Sequence, residues 1–179
     1  MSLANKITIV RVLLIPVMMF FLLNDAVQPE GVLIAAVIFA LAAISDTVDG
    51  YVARAQRTVT RLGKFMDPLA DKLLISAALV SLVEMDRVAA WVVMIIIARE
   101  FIVTGLRMVA AAEDIVISAS TWGKIKTVTQ VIAVIALMLS VSKAAIVIDI
   151  ESVLLGIAVL ATVASGVDYF IKFKRLMRA

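Results

Sequence analysis

Four aspartates stand at regular spacing in the first half of the chain, inside a sequence that is otherwise mostly apolar. They are Asp46, Asp49, Asp67 and Asp71. A carboxylate at the depth of a lipid bilayer costs about 2.5 to 3.5 kcal/mol, so four of them in one short stretch need cations or water as partners. Divalent metal ions are the simplest partners, and the pattern therefore predicts a metal site.

The spacing of these aspartates favours one shared site over four separate charges. Residues three or four apart lie on the same face of a helix. The two predicted stripes are Asp46, Asp49, Gly50 and Ala53 on one helix, and Gly63, Asp67 and Asp71 on the next. We expect a turn at Arg57–Leu62 to fold the two stripes toward each other.

The composition excludes several other kinds of site. The 179 residues include no cysteine and no histidine. Disulfides, zinc–thiolate sites, thiol nucleophiles and imidazole bases are therefore excluded. Carboxylate oxygens are hard ligands, which favour Mg²⁺, Mn²⁺ or Ca²⁺ over zinc or copper.

The apolar residues predict an all-α integral membrane protein, since 64% of the chain is hydrophobic. A hydrocarbon core about 30 Å thick needs about 20 apolar residues per helix. We predict one domain over residues 1–179, a bundle of six transmembrane helices preceded by a short interfacial segment at Met1–Thr8. The spans are Ile9–Leu23, Val32–Ala55, Pro68–Val83, Val88–Val109, Gly123–Val141 and Val153–Phe173. A cleaved signal peptide is the alternative for the first span, but no small-residue cleavage pattern follows it.

The distribution of charge predicts the orientation of this bundle. Lysine and arginine accumulate on the cytoplasmic side of short loops. With the N-terminus inside, all seventeen basic residues except Arg87 and Lys143 fall inside. Both termini and the aspartates are therefore expected on the cytoplasmic side of the cell (inner) membrane. Asp168 lies near the interface, and Lys172, one turn later, is its predicted partner.

Two other interpretations of the aspartates remain open. The first is a set of ion pairs with nearby cations, namely Arg54, Arg57, Lys64 and Lys72. Isolated pairs at a surface contribute little and need no glycine at one-turn spacing to the acids. The second is the ion path of a membrane cation carrier. The clustering of the acids at one membrane face, with no mid-span acid in helices five and six, argues against it.

The pattern DxxDGxxAR, eight further residues, then GxxxDxxxD resembles the signature of the CDP-alcohol phosphotransferase family at every position. The resemblance implies transfer of a phosphatidyl or related group from a CDP-linked donor to an alcohol, with release of CMP by metal-assisted direct displacement. It implies that Asp46, Asp49, Asp67 and Asp71 hold two divalent cations, Mg²⁺ or Mn²⁺. Asp71 would also take the proton of the acceptor hydroxyl. Room for the cytidine nucleotide, and contact with its phosphates, would come from Gly50, Ala53, Gly63 and Arg54.

Other segments resemble one branch of this family, whose donor is CDP-diacylglycerol and whose acceptor is sn-glycerol 3-phosphate. They are AsnLysIleThrIleValArg at 5–11, AlaArgGluPhe at 98–101, ThrGlyLeuArg at 104–107 and GlyLysIleLysThr at 123–127. The implied product is phosphatidylglycerophosphate. Inositol phosphate, serine and phosphatidylglycerol remain alternative acceptors. The resemblance also implies a homodimer in the lipid bilayer, and no nucleic-acid partner is expected.

A phosphorylated acceptor needs a basic pocket, and arginine binds phosphate through two parallel hydrogen bonds. The candidates are Arg99, Arg107, Lys124, Lys126 and Arg11. Thr8 is a candidate for the phosphates of the donor. The alternative for these cations, above all the lysines, is anchoring to anionic lipid headgroups.

Overall fold

The computed structural model describes the backbone of residues 3–56, 61–112, 121–140 and 146–176, and the side chains of residues 7–45, 69–110, 123–140 and 152–174. Within these residues the chain forms six α-helices and no strand. They are α1 (Leu3–Leu23), α2 (Glu30–Gln56), α3 (Arg61–Glu84), α4 (Ala90–Ala112), α5 (Thr121–Leu139) and α6 (Ile146–Leu176). A short 3₁₀ turn at Asp25–Val27 follows α1. The all-α class and the six helices are confirmed.

Several helices extend beyond the apolar stretches that predicted them. α1 begins at Leu3, so the segment predicted to lie along the interface is helical and continuous with the first span. α3 begins at Arg61, and the predicted turn at Arg57–Leu62 is therefore wrong at its C-terminal end. Hydropathy marks only the apolar part of a helix, whereas backbone hydrogen bonding continues into polar flanking residues.

The helices divide into two compact units. The first contains α1, α2 and α3 together with the C-terminal part of α5. In it α1 packs against both α2 and α3, and α2 contacts α3. Large fully buried side chains of this unit include Met18, Leu22, Phe39, Leu74 and Leu82.

The second unit contains α4, the N-terminal part of α5, and α6. Here α4 packs against α6. Val103 and Ala110 of α4 form a buried cluster with Tyr169 of α6, and Phe173 packs against it. Val103 and Ala110 are two helical turns apart, and Tyr169 and Phe173 are one turn apart, so each pair lies on one face of its helix.

Large apolar side chains are exposed on every helix, for example Leu160, which is 71% exposed, and Trp91, which is 67% exposed. In the described part of the chain, one stretch, Ser152–Lys174, is long and apolar enough to cross a membrane. Ile7–Leu23 and Glu30–Ser45 are shorter apolar helices.

The connection between α1 and α2 is closed by hydrogen bonds to the last carbonyls of α1. The Nε2 atom of Gln28 donates to the carbonyl oxygen of Leu22 at 2.9 Å and to that of Phe21 at 3.3 Å. These carbonyls have no partner within the helix, so the amide satisfies them. Gly31, at the start of α2, is buried beside the same turn.

We expect Gly31→Ala to destabilise the protein. A Cβ atom at this position would collide with the carbonyl oxygen of Phe21 and lie 2.8 Å from Cγ2 of Val27. Overpacking of this kind costs about 1 to 3 kcal/mol. Thermal unfolding in detergent should show a lower Tm for this variant.

The matched control is Gly105→Ala in α4, where a Cβ atom would meet nothing within 4 Å. Alanine is favoured over glycine in a helix interior by about 1 kcal/mol, so this variant should keep or raise the Tm. Equal Tm values for the two variants would show that the contact at Gly31 has no energetic consequence.

Candidate functional site

The predicted metal ligands stand on two neighbouring helices of the first unit. The backbones of Asp46 and Asp49 lie in α2, and those of Asp67 and Asp71 lie in α3. Asp71 is partly buried. The other predicted residues of the motif lie outside the described side chains: Asp46, Asp49, Gly50, Ala53, Arg54, Gly63 and Asp67.

Among the residues whose side chains are described, no group of three or more aspartates and glutamates is placed to hold a metal ion. Three of the four predicted ligands are outside that set. What the backbone does establish is that both aspartate pairs lie on regular helix, with the spacing that puts each pair on one face. Helices α2 and α3, which carry the two aspartate pairs, contact each other within the first unit.

Thr8 and Arg11 lie in the first unit, on the face of α1 that is buried. Thr8 is 3% exposed and Arg11 is 2% exposed. The Nε atom of Arg11 donates to the carbonyl oxygen of Ala42 at 3.2 Å. Since Ala42 is one helical turn before Asp46, this bond ties α1 to the turn of α2 that precedes the aspartates. The structure thus places Arg11 in the same unit as the aspartates.

Arg99 and Lys126, two of the predicted phosphate-binding cations, share one carboxylate in the second unit. The Nη1 atom of Arg99 lies 2.9 Å from Oε1 of Glu100, and Nζ of Lys126 forms an ion pair with the same oxygen. All three side chains are largely buried, with exposed fractions of 11%, 14% and 4% for Arg99, Glu100 and Lys126. Buried charges need partners of opposite sign, and Glu100 supplies one to both cations.

Helix α6 also contacts this cluster. The Nη2 atom of Arg99 donates a hydrogen bond to the hydroxyl oxygen of Ser165. The Cζ atom of Arg99 lies 5.8 Å from the centre of the Tyr169 ring, within the range of a cation–π interaction. Arg99 is therefore held by its own helix and by α6.

Arg107 and Lys124, the other predicted phosphate-binding cations, are exposed. Lys124 and Lys126 are two residues apart in α5, so they point to different faces of the helix, and only Lys126 is buried. The structure therefore places Arg99 and Lys126 in one cluster and leaves Arg107 and Lys124 on the surface. The predicted pair of Asp168 with Lys172 is confirmed, with 2.9 Å between Oδ2 and Nζ.

Two features of this unit were not predicted from the sequence, the ion pair of Glu100 with Lys126 and the burial of Gln130. Glu100 pairs with Lys126 across two helices, which no local spacing predicts. Gln130 is 1% exposed, and neither polar atom of its side-chain amide has a hydrogen-bond partner among the described residues. The available signal was an amide side chain one helical turn after Lys126, followed by an apolar run.

Comparison with known proteins decides the family. Residues 1–164 match the profile of the CDP-alcohol phosphatidyltransferase family. The chain belongs to this family. The family predicted from the aspartate pattern is therefore confirmed.

Curated relatives of this family cover almost the whole chain. A Bacillus subtilis protein named CDP-diacylglycerol--glycerol-3-phosphate 3-phosphatidyltransferase is 46% identical, over 96% of this chain and 94% of its own length. Proteins of the same name from Rickettsia felis and Haemophilus influenzae are 38% and 37% identical, over 94% and 91% of this chain and 93% and 88% of their own lengths.

Proposed function

We propose that this member of the CDP-alcohol phosphatidyltransferase family transfers the phosphatidyl group of CDP-diacylglycerol to sn-glycerol 3-phosphate, with phosphatidylglycerophosphate and CMP as products. The observation that carries the proposal is the 46% identity, over nearly the full length of both chains, with a protein named for this reaction. The complete aspartate pattern supports the same chemistry. The acceptor named for the relatives agrees with the one predicted from the segments at 5–11, 98–101, 104–107 and 123–127.

The residues of the aspartate motif fit a pair of divalent cations by their chemistry. Four carboxylates provide hard oxygen ligands, as Mg²⁺ and Mn²⁺ prefer. We assign both cations to Asp46, Asp49, Asp67 and Asp71, on the contacting helices α2 and α3. When bound, such cations neutralise the diphosphate of the donor and favour departure of CMP.

We assign to Asp71 the role of the general base that takes the proton of the acceptor hydroxyl. Its carboxylate takes this proton as the hydroxyl oxygen forms a bond to the phosphorus of the phosphatidyl group, while the bond to the CMP oxygen breaks. Arg54 and the small residues Gly50, Ala53 and Gly63 are assigned to the cytidine nucleotide. Thr8, on the buried face of α1, is assigned to the phosphates of the donor.

The phosphate of the acceptor is assigned to Arg99 and Lys126. These two cations lie side by side at the Glu100 carboxylate, and guanidinium and ammonium groups are suitable partners for a phosphate. Arg107 and Lys124 are exposed and fit a role in attracting anionic substrates or lipid headgroups to the second unit. Arg11 belongs to the unit of the aspartates, where its hydrogen bond to α2 supports their helix.

The membrane setting is part of the proposal. We assign the chain to the cell (inner) membrane as a six-span homodimer, with both termini and the aspartates on the cytoplasmic side. The exposed apolar side chains on every helix support contact with lipid, because soluble monomers rarely expose large apolar patches. Single cysteines substituted along each span of this cysteine-free chain would test this setting. Cysteines inside the bilayer should react with lipid-soluble probes, and those outside it with water-soluble probes.

The direct test is CMP release by the purified protein with CDP-diacylglycerol and Mg²⁺ in mixed micelles. Release that requires glycerol 3-phosphate is the expected result. Release only with inositol phosphate, serine or phosphatidylglycerol would preserve the chemistry and overturn the acceptor. A folded protein that releases no CMP with any alcohol, but moves divalent cations across vesicle membranes, would favour the carrier interpretation.

Removal of divalent cations should abolish this activity reversibly. Excess EDTA should reduce CMP release to background, since the carboxylates alone cannot neutralise the donor diphosphate. Adding back Mg²⁺ or Mn²⁺ should restore it. Initial rates before and after metal restoration provide the measurement, and full activity in EDTA would rule out the assignment of metals to the aspartates.

A further inference from the structure

Arg99 makes its cross-helix contacts with one short segment of α6. We call Ser165, Gly166 and Tyr169 the α6 patch. Ser165 accepts a hydrogen bond from Nη2 of Arg99, and the ring of Tyr169 lies 5.8 Å from its Cζ atom. Ser165 is fully buried and Tyr169 is 4% exposed, so these contacts are shielded from solvent.

Gly166 completes the patch by leaving room for the aliphatic part of Arg99. A Cβ atom at position 166 would lie 3.2 Å from Cγ of Arg99, which is tighter than ordinary van der Waals contact. Ser165 thus holds the guanidinium of Arg99 by a hydrogen bond, and the ring of Tyr169 lies near the same group. Gly166 leaves room for the aliphatic part of the Arg99 side chain. Three contacts at different points of one side chain define its orientation far better than any one of them.

One nitrogen of the Arg99 guanidinium makes no hydrogen bond with the described residues. Nη1 bonds Glu100 and Nη2 bonds Ser165, while Nε is buried and has no hydrogen-bond partner among the described residues. A buried N–H group of a charged side chain without a partner is costly, and such groups in folded proteins usually have one. An oxygen of a phosphate is a suitable partner for a guanidinium donor.

We propose that the α6 patch positions Arg99 so that its Nε–H donates to the phosphate of the acceptor. The inference rests on the proposed function and adds residues that the family match does not include, since that match ends at residue 164. Ser165, Gly166 and Tyr169 act through Arg99 and are positioning residues. Helix α6 thereby sets the affinity for the phosphate of the acceptor.

The test measures initial rates of CMP release by Ser165→Ala, Tyr169→Leu and Tyr169→Phe in mixed micelles, with each substrate varied in turn. Ser165→Ala and Tyr169→Leu should raise the KM for glycerol 3-phosphate about tenfold, as expected for a disturbed hydrogen bond to a charged group. The kcat and the KM for CDP-diacylglycerol should stay near the wild-type values. Tyr169→Phe keeps the ring face and should retain the wild-type KM.

Ser152→Ala is the matched control, because it is the same change at an exposed position of α6. Thermal unfolding of each variant shows whether it is folded, and Ser165→Ala decides the question if Tyr169→Leu does not fold. Suppose that the wild type is active and that both Ser165→Ala and Tyr169→Leu have its KM for glycerol 3-phosphate. This result would overturn the inference and leave the proposed function intact. Equal changes in kcat and both KM values would also overturn it, since they indicate a general structural role. A wild type without glycerol 3-phosphate-dependent CMP release would overturn the proposed function and, with it, this inference.

Discussion

Asp71→Asn is expected to lower the rate of CMP release by about 10²- to 10⁴-fold, the usual contribution of a positioned base. Asparagine has nearly the same shape as aspartate, but it cannot accept a proton at neutral pH and is a poorer ligand for a divalent cation. Asp71 is partly buried in α3, so the isosteric change is chosen to preserve packing. Initial rates at saturating CDP-diacylglycerol and glycerol 3-phosphate give the measurement.

Asp25→Asn is the control for this prediction. It is the same substitution at an exposed aspartate of the same unit, in the 3₁₀ turn after α1, and it should leave the rate unchanged. Thermal unfolding of both variants separates lost chemistry from lost structure. More than a tenth of the wild-type rate in folded Asp71→Asn would contradict the role of Asp71 as base.

Lys126→Met is expected to raise the KM for glycerol 3-phosphate about 10- to 100-fold. Methionine has a similar length and no charge, and a hydrogen bond to a charged group contributes about 1.5 to 3 kcal/mol. The kcat at saturating acceptor should change much less, because Lys126 is assigned to the phosphate and not to the reacting hydroxyl. The measurement is the rate of CMP release as a function of glycerol 3-phosphate concentration.

The same substitution should also lower the Tm, because Glu100 loses one of its two buried partners. Breaking a buried ion pair by removing one member costs about 3 to 5 kcal/mol, and Arg99 remains to reduce that cost. The double variant Glu100→Gln with Lys126→Met leaves Arg99 as a buried cation with no carboxylate partner in this cluster. It should unfold at a still lower Tm, while the KM stays high.

Lys174→Met, at an exposed position of α6, is the control for loss of a lysine and should leave the KM unchanged. A wild-type KM in the double variant would contradict the assignment of Lys126 to the phosphate. An unchanged KM for glycerol 3-phosphate in Lys126→Met would contradict a role in binding the phosphate. It would favour the alternative that Lys126 anchors the chain to anionic lipid headgroups.

Local spacing predicted those features that depend on one helix. The pair of Asp168 with Lys172 follows from four-residue spacing, and the structure confirms it. The positions of Asp46 and Asp49 on one helix follow in the same way. The ends of helices were predicted less well, as at Leu3 and Arg61, because the apolar pattern stops before the helical hydrogen bonding does.

Contacts between helices could not be predicted in this way. The sequence favoured lipid anchoring more for the lysines than for Arg99, but it could not show which of Arg99, Arg107, Lys124 and Lys126 lie together. The structure separates them because Lys126 faces Glu100 of another helix, whereas Lys124, two residues away, faces outward. Likewise, Ser165 meets Arg99 across a separation of 66 residues.

The sequence by itself determined the local features of this protein: the type and spacing of its aspartates, the absence of cysteine and histidine, its apolar helices and its family. These properties depend on residue identity and on periods of three to four residues, which are local along the chain. Only the tertiary structure decided which cations are buried, which carboxylate they share and which segment of α6 holds Arg99. Burial and pairing depend on side chains brought together from distant helices, and the free energy of a buried charge is set by those neighbours.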